Sequence, residues 1–510
     1  ASNVTVQIGP NPESIDPALN STIDGGNMLI TAFEGLLIVD ENNQVQPGQA
    51  ESWEVSEDGL TWTFHLREGL KWSDGTDLDA TDFVYTYKRV ADSDTAAPYS
   101  QTAVGMIAGY DEAMAGNPDA LQVEAPDANT FIVHLSYPCT YFDKLAAFAT
   151  LSPVQQETIE ANGDSWATAP ETYVSNGPYY MTEWTVGQQI VFSKNPYYKG
   201  GWDSDKIVTD TITFLLMEDS TAAYTAYTTG QAQLIKDVPT EEIPSLTKAE
   251  DGGEFYVDPV MGTYYLTMND SIEPFNDVNV RKALSLAIDR DYIANTLMQG
   301  TYSPAYKLTG PGITDADGTT PYMDNSNKEW IPTDYEESKK QAQQALADAG
   351  YPNGEGFPTI TYTTNDSGYN KAVAEYMQQC YKEVLGINLE IEIVEWSSFT
   401  PMRRSGDYEM ARNGWVFDYN DPSNILELFM TENGNNDGKY SNPEFDELMN
   451  NTNIADVEQR FANLHAAEEM LMGDYAMIPI AHNSDFWLQS TDLQGTWHSP
   501  YGYWYLQYAY

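Results

Sequence analysis

Two hydrophobic rhythms divide this chain, and no flexible linker separates them. Up to about residue 216 the apolar residues alternate. Leu60 to Leu66, Asn129 to Leu135, Gln189 to Ser193 and Thr211 to Leu216 each read as strands with one face buried. Strand patterns also cover Val4 to Ile8 and Trp53-Glu54-Val55, while Asn27 to Leu37 reads as helical and Thr81-Asp82 caps an amphipathic helix through Phe83, Tyr87 and Val90. From Asp277 the period changes. Val280, Ala283, Leu284, Ala287 and Ile288 lie at helical spacing. Helices over Tyr335 to Ala349, ended by Gly350, and over Ala372 to Leu385 then alternate with strands Pro358 to Thr363 and Ile387 to Glu395. The last stretch, Tyr501 to Tyr510, is aromatic and strand-like. The fold class is mixed α/β. With no Gly, Ser or Pro-rich joint between the blocks, the domains are expected to be closely apposed, the chain crossing between them more than once.

At 510 residues the chain has room for about three compact units. Its 77 acidic residues against 24 basic ones leave a net charge of −53, which repels nucleic acid and anionic membrane surfaces. No run of apolar residues is long enough to span a bilayer. Ala1 opens onto Ser2-Asn3-Val4, without a basic and apolar leader, as in a trimmed mature form or a chain made without one. The two cysteines, Cys139 and Cys380, form neither a disulfide framework nor a metal-ligand pattern, although one long-range disulfide stays open. Aromatic residues make up 13% of the chain, a composition suited to cores and to pockets that grip ligands with little charge.

The catalytic signatures are missing. There is no Gly-x-Ser-x-Gly elbow, no His-Glu-x-x-His, no phosphate loop and no Gly-x-Gly-x-x-Gly turn. The five histidines, His65, His134, His465, His482 and His498, are scattered, and carboxylates are too common to single out a glycosidase pair. Asn433-x-Asn435-x-Asp437-Gly438, followed by Glu444, imitates a calcium loop but starts with Asn and reads equally as a polar turn. No metal site, no cofactor and no enzymatic activity are expected.

Several stretches in chain order carry a resemblance. They are Gln49-Ala50-Glu51-Ser52-Trp53 through Leu60-Thr61-Trp62-Thr63-Phe64-His65-Leu66 to Lys71-Trp72-Ser73-Asp74-Gly75-Thr76, then Thr95-Ala96-Ala97-Pro98-Tyr99, Ser175-Asn176-Gly177-Pro178-Tyr179 and Asn195-Pro196-Tyr197-Tyr198. Pro274-Phe275-Asn276-Asp277-Val278-Asn279-Val280-Arg281, Ala287-Ile288-Asp289-Arg290, Ala349-Gly350-Tyr351 and Trp415-Val416-Phe417-Asp418-Tyr419-Asn420-Asp421-Pro422 follow. Over nearly its whole length the chain thus resembles the extracytoplasmic solute-binding proteins of family 5, the oligopeptide- and dipeptide-binding proteins of ABC importers.

The resemblance implies a two-lobe periplasmic-binding-protein fold of type II, with a hinge and a third, smaller domain. Lobe I would comprise 1–45, 175–262 and 481–510, the small domain 46–174, and lobe II 263–480. It implies an extended peptide held between the lobes largely through its main chain, so that side chains matter little. The peptide amino group would meet Asp418. A buried ammonium needs such a partner, whereas read alone Asp418 is a loop acid in an acid-rich chain. Arg403, Arg412 and Arg404, conspicuous where cations are scarce, would be candidates for the peptide carboxylate, Arg403 and Arg412 by register. Ile23 would offer a backbone edge to the ligand, and Tyr99, Tyr265, Trp396, Trp415 and Phe417 would line the cleft. Where relatives often carry small residues or Cys, this chain has Val416 and Phe417, and a bulky Phe417 would favour peptides with small side chains.

Captured oligopeptides would pass to a membrane permease and its ATPase subunits, the receptor being a monomer that binds no nucleic acid. Placement would be extracytoplasmic, as a lipid-anchored protein on a Gram-positive surface or free in a periplasm. The alternative within the same fold is an oligosaccharide ligand, since Trp and Tyr platforms suit sugars; nickel is disfavoured because no His lies near the Asp418 segment. A neutral sugar has no ammonium for Asp418. The negative charge would disfavour very acidic peptides, an effect that salt screens.

Overall fold

The computed structural model describes residues 2–326, 328–365 and 368–510, apart from the side chains of 396 and 397. It divides into two compact units, 1–258 with 486–510, and 259–485.

In the first unit the strand Asn3–Gly9 lies centrally, parallel to Thr211–Leu216 on one side and to the short Leu234–Ile235 on the other. Gln189–Lys194 and Tyr179–Thr185 continue the sheet antiparallel, and Leu488 and Gln489 close it beyond Leu234–Ile235. Val4, Val6, Ile212, Phe214, Phe192 and Tyr179 from these strands form one core with Met28, Leu29, Trp166 and Tyr173. A second, four-stranded antiparallel sheet runs in the order Ala50–Val55, Thr61–Leu66, Thr130–His134, Val123–Asp127. Here the alternation has the expected consequence: Trp62, Phe64 and Leu66 are buried, with partly exposed residues between them. Helix Ala80–Ala91 covers this sheet, its Phe83 and Tyr87 rings 5.9 and 4.9 Å from Phe131.

The second unit is built on a sheet ordered Leu389–Ile393, Ile360–Thr364, Met410–Val416, then residues 259–268 of strand Phe255–Met268 and 477–485 of strand Met477–Gln489. The first two are parallel, the βα arrangement that the period near Asp277 indicates. Asp277 caps helix Val278–Leu286, its carboxylate accepting the Asn279 N–H. Helices Tyr335–Asp348, Asn370–Leu385 and Val457–Gly473 complete the frame.

Three local expectations are corrected. The helix expected from Asn27 spans Ile23–Ala32, because Thr22 caps it and its paired glycines are a packing requirement: a Cβ on Gly26 would lie 2.6 Å from the Tyr503 ring. The helix expected to be capped by Thr81-Asp82 is capped by Asp79, which accepts from Thr81 while Asp82 bonds back to the Asp79 N–H. The aromatic tail is not one strand. Only Trp504–Tyr505 pairs, with Trp497–His498, and the rings pack into the first unit's core instead.

Among the described residues no helix is long and apolar enough to cross a membrane. Both cysteines are buried, and no disulfide joins them. Gly177 sets a sharp packing constraint: its N–H donates to the Ala32 carbonyl at 2.7 Å, and a Cβ there would meet the Ala32 backbone at 2.5 Å. Gly177→Ala is therefore expected to cost about 1–3 kcal/mol of stability in chemical denaturation; an unchanged midpoint would contradict that packing.

Candidate functional site

The segment that follows strand Met410–Val416 is organised by one amide. Asn424 accepts the Asp418 backbone N–H and the Trp415 indole N–H, each at 2.9 Å, and its own NH₂ donates to the Asp418 carboxylate at 3.4 Å. Asp418 is thereby held half-buried at the end of the strand, beside a half-buried Trp415. Phe417 is buried at 2% exposure, its N–H donating to the Met261 carbonyl at 2.8 Å.

Two further acids lie near Asp418, in different electrostatic settings. Asp421 is buried and receives both guanidinium nitrogens of Arg460 at 2.6 and 2.8 Å, while Arg460 Nε donates to the Thr452 carbonyl. Among the described residues Glu427 has no such ion pair: burial, and then repulsion by Asp421 and Asp418, push its carboxyl up to about 8 against the pull of Arg460. At neutral pH the loop therefore presents a paired acid, a protonated acid and Asp418.

The three arginines occupy different environments. Arg403, on helix Trp396–Ser405, is buried; it donates to Asp437 at 3.0 Å and to the Arg412 carbonyl at 2.7 Å. Its guanidinium lies 4.9 Å from the Phe399 ring, and burial lowers its affinity for a proton, against the pull of Asp437. Arg412, opposite Leu266 in the sheet, stacks 4.9 Å from the Tyr264 ring. The Tyr264 hydroxyl is also within hydrogen-bonding reach of Arg412, and among the described residues the Arg412 Nε is buried without an acceptor and no carboxylate forms an ion pair with the side chain. Arg404 is exposed, its carbonyl taken by Lys439 Nζ at 2.9 Å.

The remaining sequence candidates are spread over both units. Tyr265 is buried against Phe429, ring centroids 6.1 Å apart. Trp396 opens its helix, and its side chain lies outside the described residues. In the first unit, Tyr99 is half-buried, edge-on to Phe148 at 5.2 Å. Ile23, expected to offer a backbone edge to the ligand, begins helix Ile23–Ala32, where a first-turn N–H has no partner within the helix. The calcium-like loop is committed elsewhere, since Asp437 binds Arg403 and Asn413. Among the described residues no group of three or more His, Cys, Asp or Glu could hold a metal ion. Sequence reasoning missed Arg460, Asn424, Glu427 and the Asp437 partner of Arg403. Of these only Asn424, six residues after Asp418, carries a local signal, an amide in a turn.

Removing one partner of a buried ion pair strands the other, so Asp421→Asn is expected to cost about 3–5 kcal/mol in urea unfolding. The Glu427 carboxyl, normally near 4.5, is held to about 8, so the folded chain binds its proton more tightly than the unfolded chain. That stabilisation is complete below 4.5 and is lost as pH rises through about 8. Glu427→Gln keeps the neutral form, so it should gain on wild type by up to about 1.4 kcal/mol per pH unit across that window. Parallel stability curves for the two proteins would refute this.

Comparison with known proteins bears on what such a site does. Residues 44–437 match the model of bacterial extracellular solute-binding proteins, family 5 Middle. The chain is 37% identical to the periplasmic oligopeptide-binding protein OppA of Salmonella typhimurium over 476 residues, which cover 92% of this chain and 85% of that protein. It is 31% identical to the oligopeptide-binding protein OppA of Bacillus subtilis over 500 residues, 96% of this chain and 89% of the other. Among solved structures it is similar to Haemophilus influenzae OppA in complex with the peptide RPPGFSPFR, with a TM-score of 0.78, 31% identity, and coverage of 100% of this chain and 98% of that one. The unliganded open form of the murein tripeptide-binding protein MppA gives a TM-score of 0.82 at 30% identity, covering 100% and 97%. The chain with its Asn424-braced Asp418 belongs to the bacterial extracellular solute-binding proteins, family 5.

Proposed function

We propose that this protein is the extracytoplasmic receptor of an ABC importer, a non-catalytic protein that captures oligopeptides and delivers them to a membrane permease and its ATPase subunits. The observation that carries the reading is the Asp418 loop. It holds one carboxylate half-buried on a fixed backbone, while neighbouring charge is cancelled by Arg460 or by protonation of Glu427. A peptide's α-ammonium suits that position, since a charge-assisted bond in a partly dehydrated site is strong and geometrically selective. The oligopeptide-binding names of the relatives support the same ligand class over an oligosaccharide.

For the peptide carboxylate we propose Arg412. Its guanidinium is stacked on Tyr264 and has a buried Nε without an acceptor, whereas Arg403 is engaged by Asp437 and, through its bond to the Arg412 carbonyl, fixes the strand on which Arg412 stands. Arg404, exposed on the same helix as Arg403, is the cation for peptides of another length. Tyr99, Trp415, Phe417, Tyr265, Trp396 and Ile23 are proposed to contact the peptide, and residues 46–174 of the first unit to form a small domain of their own. The finer placement is a lipid anchor on a Gram-positive surface or a soluble periplasmic form; metabolic labelling with a fatty-acid probe in the native host separates them.

Calorimetry with a tetrapeptide tests the reading. Wild type should bind the free peptide and lose about a hundredfold in affinity on N-acetylation; Asp418→Asn should lose a similar factor for the free peptide and show little further loss for the acetylated one. Arg412→Gln should respond in the same way to C-terminal amidation. Equal affinity for free and acetylated peptides, or binding of a neutral oligosaccharide instead, would overturn the assignment.

A further inference from the structure

The first unit carries a cavity of about 790 Å³ beside the place where strand Leu234–Ile235 meets residues 488–489. That volume lies within the range of small-molecule sites, roughly 300–1,000 Å³. The walls come from helix Ser220–Thr228, the turns 230–233 and 245–247, residues 252–254 and the segment 488–492. They are held by the sheet: Gln489 N–H donates to the Glu254 carbonyl at 3.0 Å, and Ser490 N–H to the Gln233 carbonyl at 2.8 Å.

The chemistry of the lining is one-sided. Tyr224 and Tyr227, three positions apart, share one face of their helix and pack beside Leu246 and Phe486. The Tyr227 hydroxyl is buried against the Glu254 carboxylate, and burial together with that negative neighbour raises the phenol above its ordinary range. Glu254 and Asp492 bring two carboxylates to the cavity, and no cation among the described residues pairs with either. Lys248, nearby in sequence, is 3.9 Å from Glu250, and no Lys or Arg lines the space. Two aromatic faces and two carboxylates that no cation among the described residues neutralises ask for a ligand that brings N–H donors and positive charge on an apolar stem.

We infer that this cavity is a second ligand site, in the unit that does not contain Asp418, for a small organic cation: an alkylammonium or guanidinium solute whose head pairs with Glu254 and whose chain lies on Tyr224 and Tyr227. It is independent of the peptide reading.

Calorimetry on the full chain with cadaverine and agmatine, and with 1,5-pentanediol as the uncharged counterpart of cadaverine, tests it in buffer of about 150 mM salt, where diffuse attraction is screened. The expected result is one cation bound per chain, no heat from the diol, and about tenfold or greater weakening in Glu254→Gln and Tyr224→Ala, with Asp418→Asn unchanged. Asp492→Asn, at an exposed position, gives a variant whose folding is not at issue and should weaken binding in the same direction. Absence of binding, equal binding of the diol, or many weak sites indifferent to Glu254→Gln and Asp492→Asn would overturn the inference, the last assigning the heat to the net charge of −53.

Discussion

Arg460 and Asp421 are both buried and meet through two hydrogen bonds of 2.6 and 2.8 Å, with the third guanidinium face tied to the Thr452 carbonyl. A desolvated pair of this kind is tolerated only when its geometry is complete, and it fixes what surrounds it. Here it anchors the loop that carries Asp418 to the long helix Val457–Gly473. It also sets the local electrostatics. With Asp421 neutralised by Arg460, Glu427 is the acid that gives up its charge to burial.

The same use of scarce cations recurs through the molecule. Arg89 pairs with buried Asp16, which also accepts the Trp166 indole N–H at 3.1 Å. Arg290, almost fully buried and pushed down to about 10 by burial, donates to the Pro479 and Ser285 carbonyls and to the Ser285 hydroxyl. Arg281 holds the carbonyls of Phe275 and Asp474. In a chain with 24 basic residues against 77 acidic ones, several arginines thus act as internal clamps, because a planar guanidinium offers five donors in a rigid fork and loses little freedom for each bond it makes. The surface left behind is strongly anionic, which sharpens the meaning of Arg412, a cation stacked on an aromatic ring.

How far these features were legible in the sequence varies with the range of the interaction. Thr211–Leu216 is a strand as read, and the Leu60 to Leu66 alternation appears as buried Trp62, Phe64 and Leu66. The Asp277 cap and the helix ending near Gly350 were likewise written locally. Gly25-Gly26 misled, because their reason is the approach of Tyr503, more than 470 positions away. The aromatic tail misled for the same reason: its rings are ordered by a core assembled from many segments, not by a partner strand. At the site, Asp418 and the arginines stood out through resemblance and scarcity. Their different roles did not, since Asp437 and Arg460 lie 34 and 39 positions from the residues they neutralise.

The sequence by itself determined the α/β class, most strand and helix positions, the anionic character and the family to which the chain belongs, because periodicity, capping and motif order are local properties of the chain. Only the tertiary structure decided which arginine is a clamp and which stacks on an aromatic ring, that Glu427 is the carboxyl burial pushes up, and that Glu254 and Asp492 share a cavity with two tyrosines. Those outcomes depend on desolvation and on contacts between distant segments, and both exist only once the chain has folded.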